Sequence, residues 1–248
     1  MQTQIFKTRE ESGKRAAELA QQLIQDAIKA RGAARVILAT GASQFDFIAT
    51  LVTLPVDWSK VEAFHLDEYS GMPDTHPASF RKYLRERFVA KVKNLKAFHW
   101  VAGDAPSAQA ECKRLNALIS SAPVDVGCVG IGENAHLAFN DPPADFETEE
   151  PFIEVKLDEA CRRQQLGEGW FKTLDDVPKL ALTMTIRQIM KSRTLIVTVP
   201  DQRKAQAVKL SVEGPVTNMV PSSILQQHPR CELFLDAGSA SLLKGTRA

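Results

Sequence analysis

Residues 35–43, Arg-Val-Ile-Leu-Ala-Thr-Gly-Ala-Ser, decide the fold that we expect for this chain. The run at 35–40 is short and apolar, which is typical of a buried strand. It ends in a turn of small residues at 41–43, and a helical pattern follows over about 44–54. A strand, a sharp turn and a helix in this order form the repeating unit of α/β proteins.

The same unit recurs along the chain. Further strands are predicted at 61–66, 97–101, 124–131, 194–199 and 232–235, and helices at 78–91, 108–120 and 203–212. A first helix at 8–31 begins at a capping box of Thr8 with Glu11 and ends at Gly32. This alternation predicts a single α/β domain over residues 1–248. Its sheet is expected to be doubly wound and mostly parallel, with helices on both faces.

The alternation is interrupted at 139–177, a segment rich in Asp, Glu and Pro. We expect it to carry no strong strand and to run as an excursion over the edge of the sheet. Long excursions in compact domains often close over a site. The part at about 144–177 is therefore interpreted as a lid, with a plain surface insertion as the alternative.

Composition excludes several classes of function. Lys and Arg number 31 against 30 Asp and Glu, so net charge gives no reason to expect a nucleic acid or an anionic membrane as partner. No apolar run approaches the roughly 18 residues of a membrane span, and the first twenty residues lack a signal-peptide core. The four cysteines form no C-x-x-C pair and are expected to be reduced. These features predict a cytoplasmic protein.

Polar residues follow the first two predicted strands of the alternation. Ligands of doubly wound sheets bind beyond the carboxyl ends of the strands. Thr40, Gly41, Ala42 and Ser43 form either an anion-binding turn at a helix N-terminus or an ordinary turn. The adjacent carboxylates Asp67 and Glu68 predict either a general base with a raised pKa or a cap at the surface.

Two further strand ends carry groups suited to acid–base chemistry. After 124–131, Gly132 permits a sharp turn, and His136 and Asp141 follow it. Histidine passes protons near pH 7, and Asp141 is placed to orient it, although a lone histidine is often structural. Lys204 opens a helix, where its charge opposes the helix dipole, so it is either solvated or holds an anion.

Together these four strand ends predict a phosphorylated polar substrate and proton transfer. The five histidines show neither H-x-x-x-H nor H-E-x-x-H spacing, so a metal is not expected. A G-x-S-x-G elbow is also absent from the sequence, which argues against a serine hydrolase.

Longer motifs surround these residues. They are L-D-E-Y at 66–69, H-P-A-S-F at 76–80, G-I-G-E-N-A-H-L-A-F-N-D-P at 130–142, V-P-K-L-A-L-T-M at 177–184, R-K-A at 203–205 and V-E-G-P-V at 212–216. Through these motifs, over about 41–243, the chain resembles the glucosamine-6-phosphate deaminase family. That family shares its fold with 6-phosphogluconolactonases and is related to ribose-5-phosphate isomerases. The combination of the first and third motifs favours the deaminase branch.

The resemblance implies a reaction and assigns roles in it. Glucosamine 6-phosphate is isomerised and loses ammonia to give fructose 6-phosphate, without a metal or an organic cofactor. Asp67 is expected to move a proton between C2 and C1, and His136 to open the sugar ring. Asp141 stands where the family has a glutamate that assists ring opening. Further residues are expected to bind the substrate: Thr40, Gly41, Ala42, Ser43, Glu68, Gly132, Lys204, and one of the lid cations Arg162 and Arg163.

The sequence departs from the family pattern at the ring-opening motif and just after it. Asn134-Ala135-His136 replaces the usual Asp-Gly-His, and Asp141 is one methylene shorter than the usual glutamate. The acidic segment at 144–150 replaces basic residues of regulated members, which predicts no activation by N-acetylglucosamine 6-phosphate. The alternatives are a 6-phosphogluconolactonase, an isomerase of another phosphosugar, or a sugar-phosphate-binding regulator without turnover. The sequence leaves open whether the protein is a monomer or a homo-oligomer.

Overall fold

A seven-stranded parallel sheet forms the centre of the computed structural model, which describes residues 1–167 and 169–244. Its strands are β1 (Gln2–Phe6), β2 (Ala34–Leu38), β3 (Val61–His65), β5 (Ala97–His99), β6 (Val126–Val129), β9 (Thr194–Val199) and β10 (Cys231–Asp236). Their order across the sheet is β1-β10-β9-β6-β2-β3-β5, and every pairing is parallel. The predicted doubly wound α/β fold is therefore confirmed.

Helices cover both faces of this sheet. They are α1 (Arg9–Arg31), α2 (Phe45–Leu51), α3 (Phe80–Leu84), α4 (Ala108–Ile119), α5 (Glu159–Gly167), α6 (Ile186–Met190) and α7 (Ala205–Glu213). Successive β2 residues point to opposite faces: Val36 packs in a cluster with α1 and α2, whereas Ile37 packs in a cluster with α4 and α7. Both layers are needed because a parallel sheet is buried on each side.

The predicted ends of α1 are confirmed. Thr8 caps its N-terminus by accepting a hydrogen bond from the Glu11 N–H at 3.2 Å. The Glu11 carboxylate accepts from Lys7 N rather than from Thr8 N, so the reciprocal half of the box is displaced by one residue. Gly32 ends the helix with φ of 77°, a conformation that glycine adopts without steric cost.

The N-terminal strand β1 was not predicted. Its residues are mostly polar and partly exposed because it lies at the edge of the sheet, so it lacks the apolar run by which the inner strands are found.

The predicted helix at 78–91 is shorter than expected. α3 covers Phe80–Leu84 and continues as a π-helical turn at Arg85–Val89.

The expectation of no strand within 139–177 is wrong. β7 (Phe152–Lys156) pairs antiparallel with β8 (Leu180–Met184), and β8 pairs antiparallel with β4 (Asp67–Tyr69) to complete a second, three-stranded sheet. β7 escaped detection because only Phe152 among its five residues is buried. Beneath α5, a separate apolar cluster includes Tyr69, Phe139 and Phe171.

Two further findings concern the chain as a whole. Cys112, Cys128, Cys161 and Cys231 are free, buried thiols, in agreement with the prediction of reduced cysteines. Over residues 1–167 and 169–244, no helix has the length and apolar character that crossing a membrane requires.

Candidate active site

A single cleft lies at the carboxyl ends of the central strands, where the sequence predicted a site. Eight of the predicted site residues line it: Thr40, Gly41, Ala42, Ser43, Asp67, Gly132, His136 and Lys204. They follow β2, β3, β6 and β9, which are neighbours in the sheet. Residues more than 160 positions apart in the chain therefore meet because parallel strands end at one edge.

The turn after β2 is held rigidly from several sides. Gly41 has φ of 92°, which a residue with a side chain rarely adopts, and its carbonyl accepts from Tyr83 Oη at 3.0 Å. Ser43 Oγ accepts from Gln44 Nε2 at 3.1 Å, and Gln44 Oε1 accepts from Thr198 Oγ1 of β9 at 3.0 Å. The turn is thereby fixed to the strand that precedes Lys204.

Asp67 also lines the cleft. It lies on β4, paired with Thr183, and is only 6% exposed. Burial raises the pKa of the Asp67 carboxyl well above its usual value, and the adjacent charge of Glu68 raises it further. A carboxylate with an elevated proton affinity is suited to abstracting a proton near neutral pH.

His136 is held by two polar neighbours in a motif that turns sharply. Its Nδ1 lies 3.1 Å from Asp141 Oδ1. Asn134 accepts the His136 backbone N–H on Oδ1 and donates from Nδ2 to the same Asp141 oxygen, both at 3.1 Å. Ala135, between them, has φ of 68°, in the left-handed region that favours glycine. Since Nδ1 is engaged by Asp141, Nε2 is the imidazole nitrogen available for exchange with a ligand.

Asp141 lies beside the cleft rather than on its lining, at 8% side-chain exposure. Burial raises the pKa of its carboxyl, but this is outweighed by the hydrogen bond and charge of His136 and by hydrogen bonds from Asn134 and the Asp158 N–H. The net effect holds the pKa of Asp141 below its usual value, so this carboxyl is an anion at neutral pH.

One group near the cleft has the composition of a metal site. Ligand atoms of His136, Asp141 and Cys161 lie within 4.8 Å of one another. Burial raises the pKa of the Cys161 thiol, and the charges of Asp141 and Asp158 raise it further. A thiol must lose its proton to bind a metal, whereas His136 and Asp141 already contact each other directly at 3.1 Å.

Glu68 lies outside the cleft, which does not support its predicted contact with substrate. It is fully buried, and its carboxylate accepts hydrogen bonds from Ser79 Oγ and from the backbone N–H groups of Tyr69, Phe80 and Arg81. Glu68 thus fixes the start of α3 beside β4. It influences the cleft through its charge and through Phe80, which lines the cleft wall.

Arg162 and Arg163, of which one was expected to bind the phosphate from the lid, lie on α5 and do not line the cleft. Arg162 donates from Nε and Nη2 to Val177 O and from Nη2 to Leu174 O, which ties α5 to the end of the lid segment. Arg163 is exposed and pairs with Glu159 one turn earlier on the same helix. From α5, the residues that reach the cleft are Gln164 and Gln165.

Several lining residues were not predicted as site residues. Arg9, Phe80, Phe139, Gln164, Gln165 and Arg203 all line the cleft. Arg203 was quoted only as part of a motif. Arg9 had no signal beyond standing at the start of a helix, because its side chain joins the site through tertiary packing against the turn at 41–43.

The sequence over residues 7–233 matches the profile of one family, described as glucosamine-6-phosphate isomerases/6-phosphogluconolactonase. The chain belongs to this family. A glucosamine-6-phosphate deaminase of Lactobacillus delbrueckii subsp. bulgaricus is 35% identical over 240 residues, which are 97% of this chain and 98% of that protein. The glucosamine-6-phosphate isomerases/6-phosphogluconolactonase family thus accounts for nearly the whole sequence.

Solved structures place the fold in the same family. A monomeric glucosamine-6-phosphate deaminase superposes with a TM-score of 0.89 at 29% identity, covering 98% of this chain and 100% of that one. A 6-phosphogluconolactonase from Shewanella baltica superposes with a TM-score of 0.79 at 19% identity, covering 96% and 98%. At that lower identity the likeness concerns the fold alone.

For this family member, the raised pKa of Asp67 predicts a cost in stability. Between the unfolded and folded pKa values the folded protein binds more protons than the unfolded chain, so the free energy of unfolding falls as pH rises. We expect Asp67→Asn to raise the free energy of unfolding by about 1–3 kcal/mol at pH 8 and by less at pH 5. Urea unfolding of both proteins at the two pH values measures this. An equal difference at both pH values would contradict the prediction.

Gly132 is predicted to be required for the position of His136. A Cβ at this residue would lie 2.2 Å from His136 Nε2, so alanine must displace the imidazole. Loss of a positioned acid–base group typically costs about 10²–10⁴ in rate, and we expect Gly132→Ala to lower kcat of any turnover found at least tenfold. Gly167→Ala is the matched control, because its Cβ meets no atom within 4 Å. Similar kcat values for the two variants would refute the role given to Gly132.

Proposed function

We propose that this protein is a glucosamine-6-phosphate deaminase that forms fructose 6-phosphate and ammonia. The observation that carries the proposal is that Asp67 and His136 line the same cleft as the turn at 41–43 and Lys204, with Asp141 at hydrogen-bond distance behind His136. Acid–base groups in one cleft with an anion-binding turn and a lysine suit proton transfer on a phosphorylated sugar. The names of the relatives support the same activity.

The phosphate is proposed to bind between the turn and Lys204. The first turn of a helix leaves backbone N–H groups without intrahelical partners, and such groups attract anions. Ser43 adds a hydroxyl donor. Lys204, which is 8% exposed and forms the N-cap of α7, adds a positive charge. An anion bound there offsets the unfavourable placement of a cation at a helix N-terminus.

Ring opening is proposed to use His136. In the cyclic sugar, a proton must leave the C1 hydroxyl and one must reach the ring oxygen as the C1–O5 bond breaks. The Nε2 of His136 exchanges these protons, while the Asp141 anion at Nδ1 fixes the ring orientation and stabilises the charged imidazole.

Isomerisation is proposed to use Asp67. Its carboxylate takes the C2 proton of the open-chain aldehyde and returns it to C1, while the C1 oxygen gains a proton and the amine loses one. The product has a hydroxymethyl group at C1 and an imine at C2. Water adds to this imine, ammonia leaves, and the ketone of fructose 6-phosphate remains. Each proton taken is returned and one water is consumed, so the step needs no oxidant, no metal and no organic cofactor.

The helix α5 and the segment around it are proposed to act as a lid. Gln164 Oε1 accepts the Glu133 N–H at 2.9 Å, and Tyr69 Oη donates to Gln165 Oε1 at 2.7 Å. These contacts join α5 to the two strand ends that carry His136 and Asp67. A lid closed in this way keeps bulk water from the open-chain intermediate.

The nearest alternative is a 6-phosphogluconolactonase, since lactonases share the fold. Hydrolysis of a lactone requires no proton transfer at C2 and therefore no base at position 67. A regulator that binds sugar phosphates without turnover is the alternative from another class. A cytoplasmic location, and assembly as a monomer or a homo-oligomer, stay predictions.

Ammonia release from glucosamine 6-phosphate, with fructose 6-phosphate measured in parallel, tests the proposal. We expect turnover by the wild-type protein and a loss of at least about 10³-fold in Asp67→Asn, which keeps the shape of the side chain but cannot accept the proton. Ammonia release from galactosamine 6-phosphate and mannosamine 6-phosphate, measured in the same assay, determines the substrate specificity.

Full activity of Asp67→Asn would remove the proposed base while leaving the deaminase activity in place. Two other results would reject the assignment itself. Hydrolysis of 6-phosphogluconolactone without ammonia release from any amino sugar phosphate would favour the lactonase, and binding without turnover would favour the regulator.

A further inference from the structure

The cleft contains a guanidinium that does not come from the lid. Arg9 lies in the first turn of α1 and lines the same cleft as the turn at 41–43 and Lys204. Its Nη2 donates to Ala42 O at 3.0 Å and its Nε donates to Asp46 Oδ2 at 2.6 Å. Arg9 thus contacts the turn and the helix α2 that follows it, and its side chain is 36% exposed.

Two of the five N–H groups of Arg9 are used in these contacts. In the part of the chain that the structure describes, no acceptor is assigned to Nη1. The contact with Asp46 orients the planar group, so little rotamer entropy remains to be lost when an anion binds. A guanidinium held in this way presents paired donors that match the geometry of a phosphate.

The other cations near the cleft differ in their environment. Arg203 pairs with Asp201 at 3.0 Å and lies 3.7 Å from Glu133, so two carboxylates offset its charge. Arg162 and Arg163 are engaged by backbone carbonyls and by Glu159, away from the cleft. Lys204 provides a point charge but not a planar pair of donors.

We propose that Arg9 binds the substrate phosphate together with the turn at 41–43 and Lys204, and replaces a lid arginine in this role. The inference rests on the proposed function for the identity of the substrate, but the ligand chemistry it requires is a phosphate monoester. The phosphate is then held by elements attached to the sheet. Opening of the lid leaves this phosphate contact in place.

Steady-state kinetics of Arg9→Gln test the proposal. We expect KM for glucosamine 6-phosphate to rise at least about tenfold, with kcat changed less than threefold, because a phosphate contact is made equally in the ground and transition states. The inhibition constant of inorganic phosphate should rise by a similar factor. Arg9→Lys keeps the charge without the paired donors and should give an intermediate KM.

Two controls separate binding from a structural role. Asp46→Asn removes the ion pair that holds Arg9 but keeps the guanidinium, so its KM should stay within about threefold of wild type. Arg163→Gln removes an exposed lid cation and should leave KM unchanged. If Asp46→Asn raises KM as much as Arg9→Gln does, Arg9 acts by supporting the turn and the proposal is overturned.

The remaining outcomes distinguish this inference from the proposed function. Unchanged KM and phosphate inhibition in Arg9→Gln, in a protein that still releases ammonia, would reject the role of Arg9 and leave the function intact. If the wild-type protein releases no ammonia, calorimetry with inorganic phosphate decides. Weaker phosphate binding by Arg9→Gln or, should that variant not fold, by Arg9→Lys supports the site, and equal binding rejects it.

Discussion

The position of the Asp141 carboxylate is the constraint on which the geometry of the cleft depends. Its oxygens are shared by His136, Asn134 and the Asp158 N–H at the start of the lid helix. Because these partners together outweigh the effect of burial, the carboxyl stays charged inside the protein. One anion therefore orients the imidazole, fixes the turn before it and joins that turn to the lid.

The same carboxylate gives a physical reason for an amide at position 134. An aspartate at position 134 would place a second anion 3.1 Å from Asp141, whereas the amide of Asn134 donates a hydrogen bond to it. Ala135 next to it adopts a left-handed backbone with φ of 68°, which costs a residue with a Cβ about 1 kcal/mol.

The strands of the inner sheet and the four strand ends of the site could be predicted because buried parallel strands are apolar runs and their carboxyl ends meet at one edge. Strands β1 and β7 could not: β1 is a mostly polar edge strand, and β7 is a short edge strand inside a segment rich in Asp, Glu and Pro. The direction in which individual side chains point could not be predicted from the sequence either. The Glu68 carboxylate points to the start of α3. Arg9 lines the cleft from α1, whereas the sequence predicted site residues only directly after strands.

The pairing of β1 with β10 has a consequence for synthesis on the ribosome. Gln4 of the first strand hydrogen-bonds Glu232 of the last, 228 residues later. β1 therefore emerges from the ribosome long before its partner β10 is synthesised. Contacts of such high sequence separation form slowly. β1 can pair only after β10, the last strand of the described sheet, has been made, so this edge of the sheet is completed after its other strands exist.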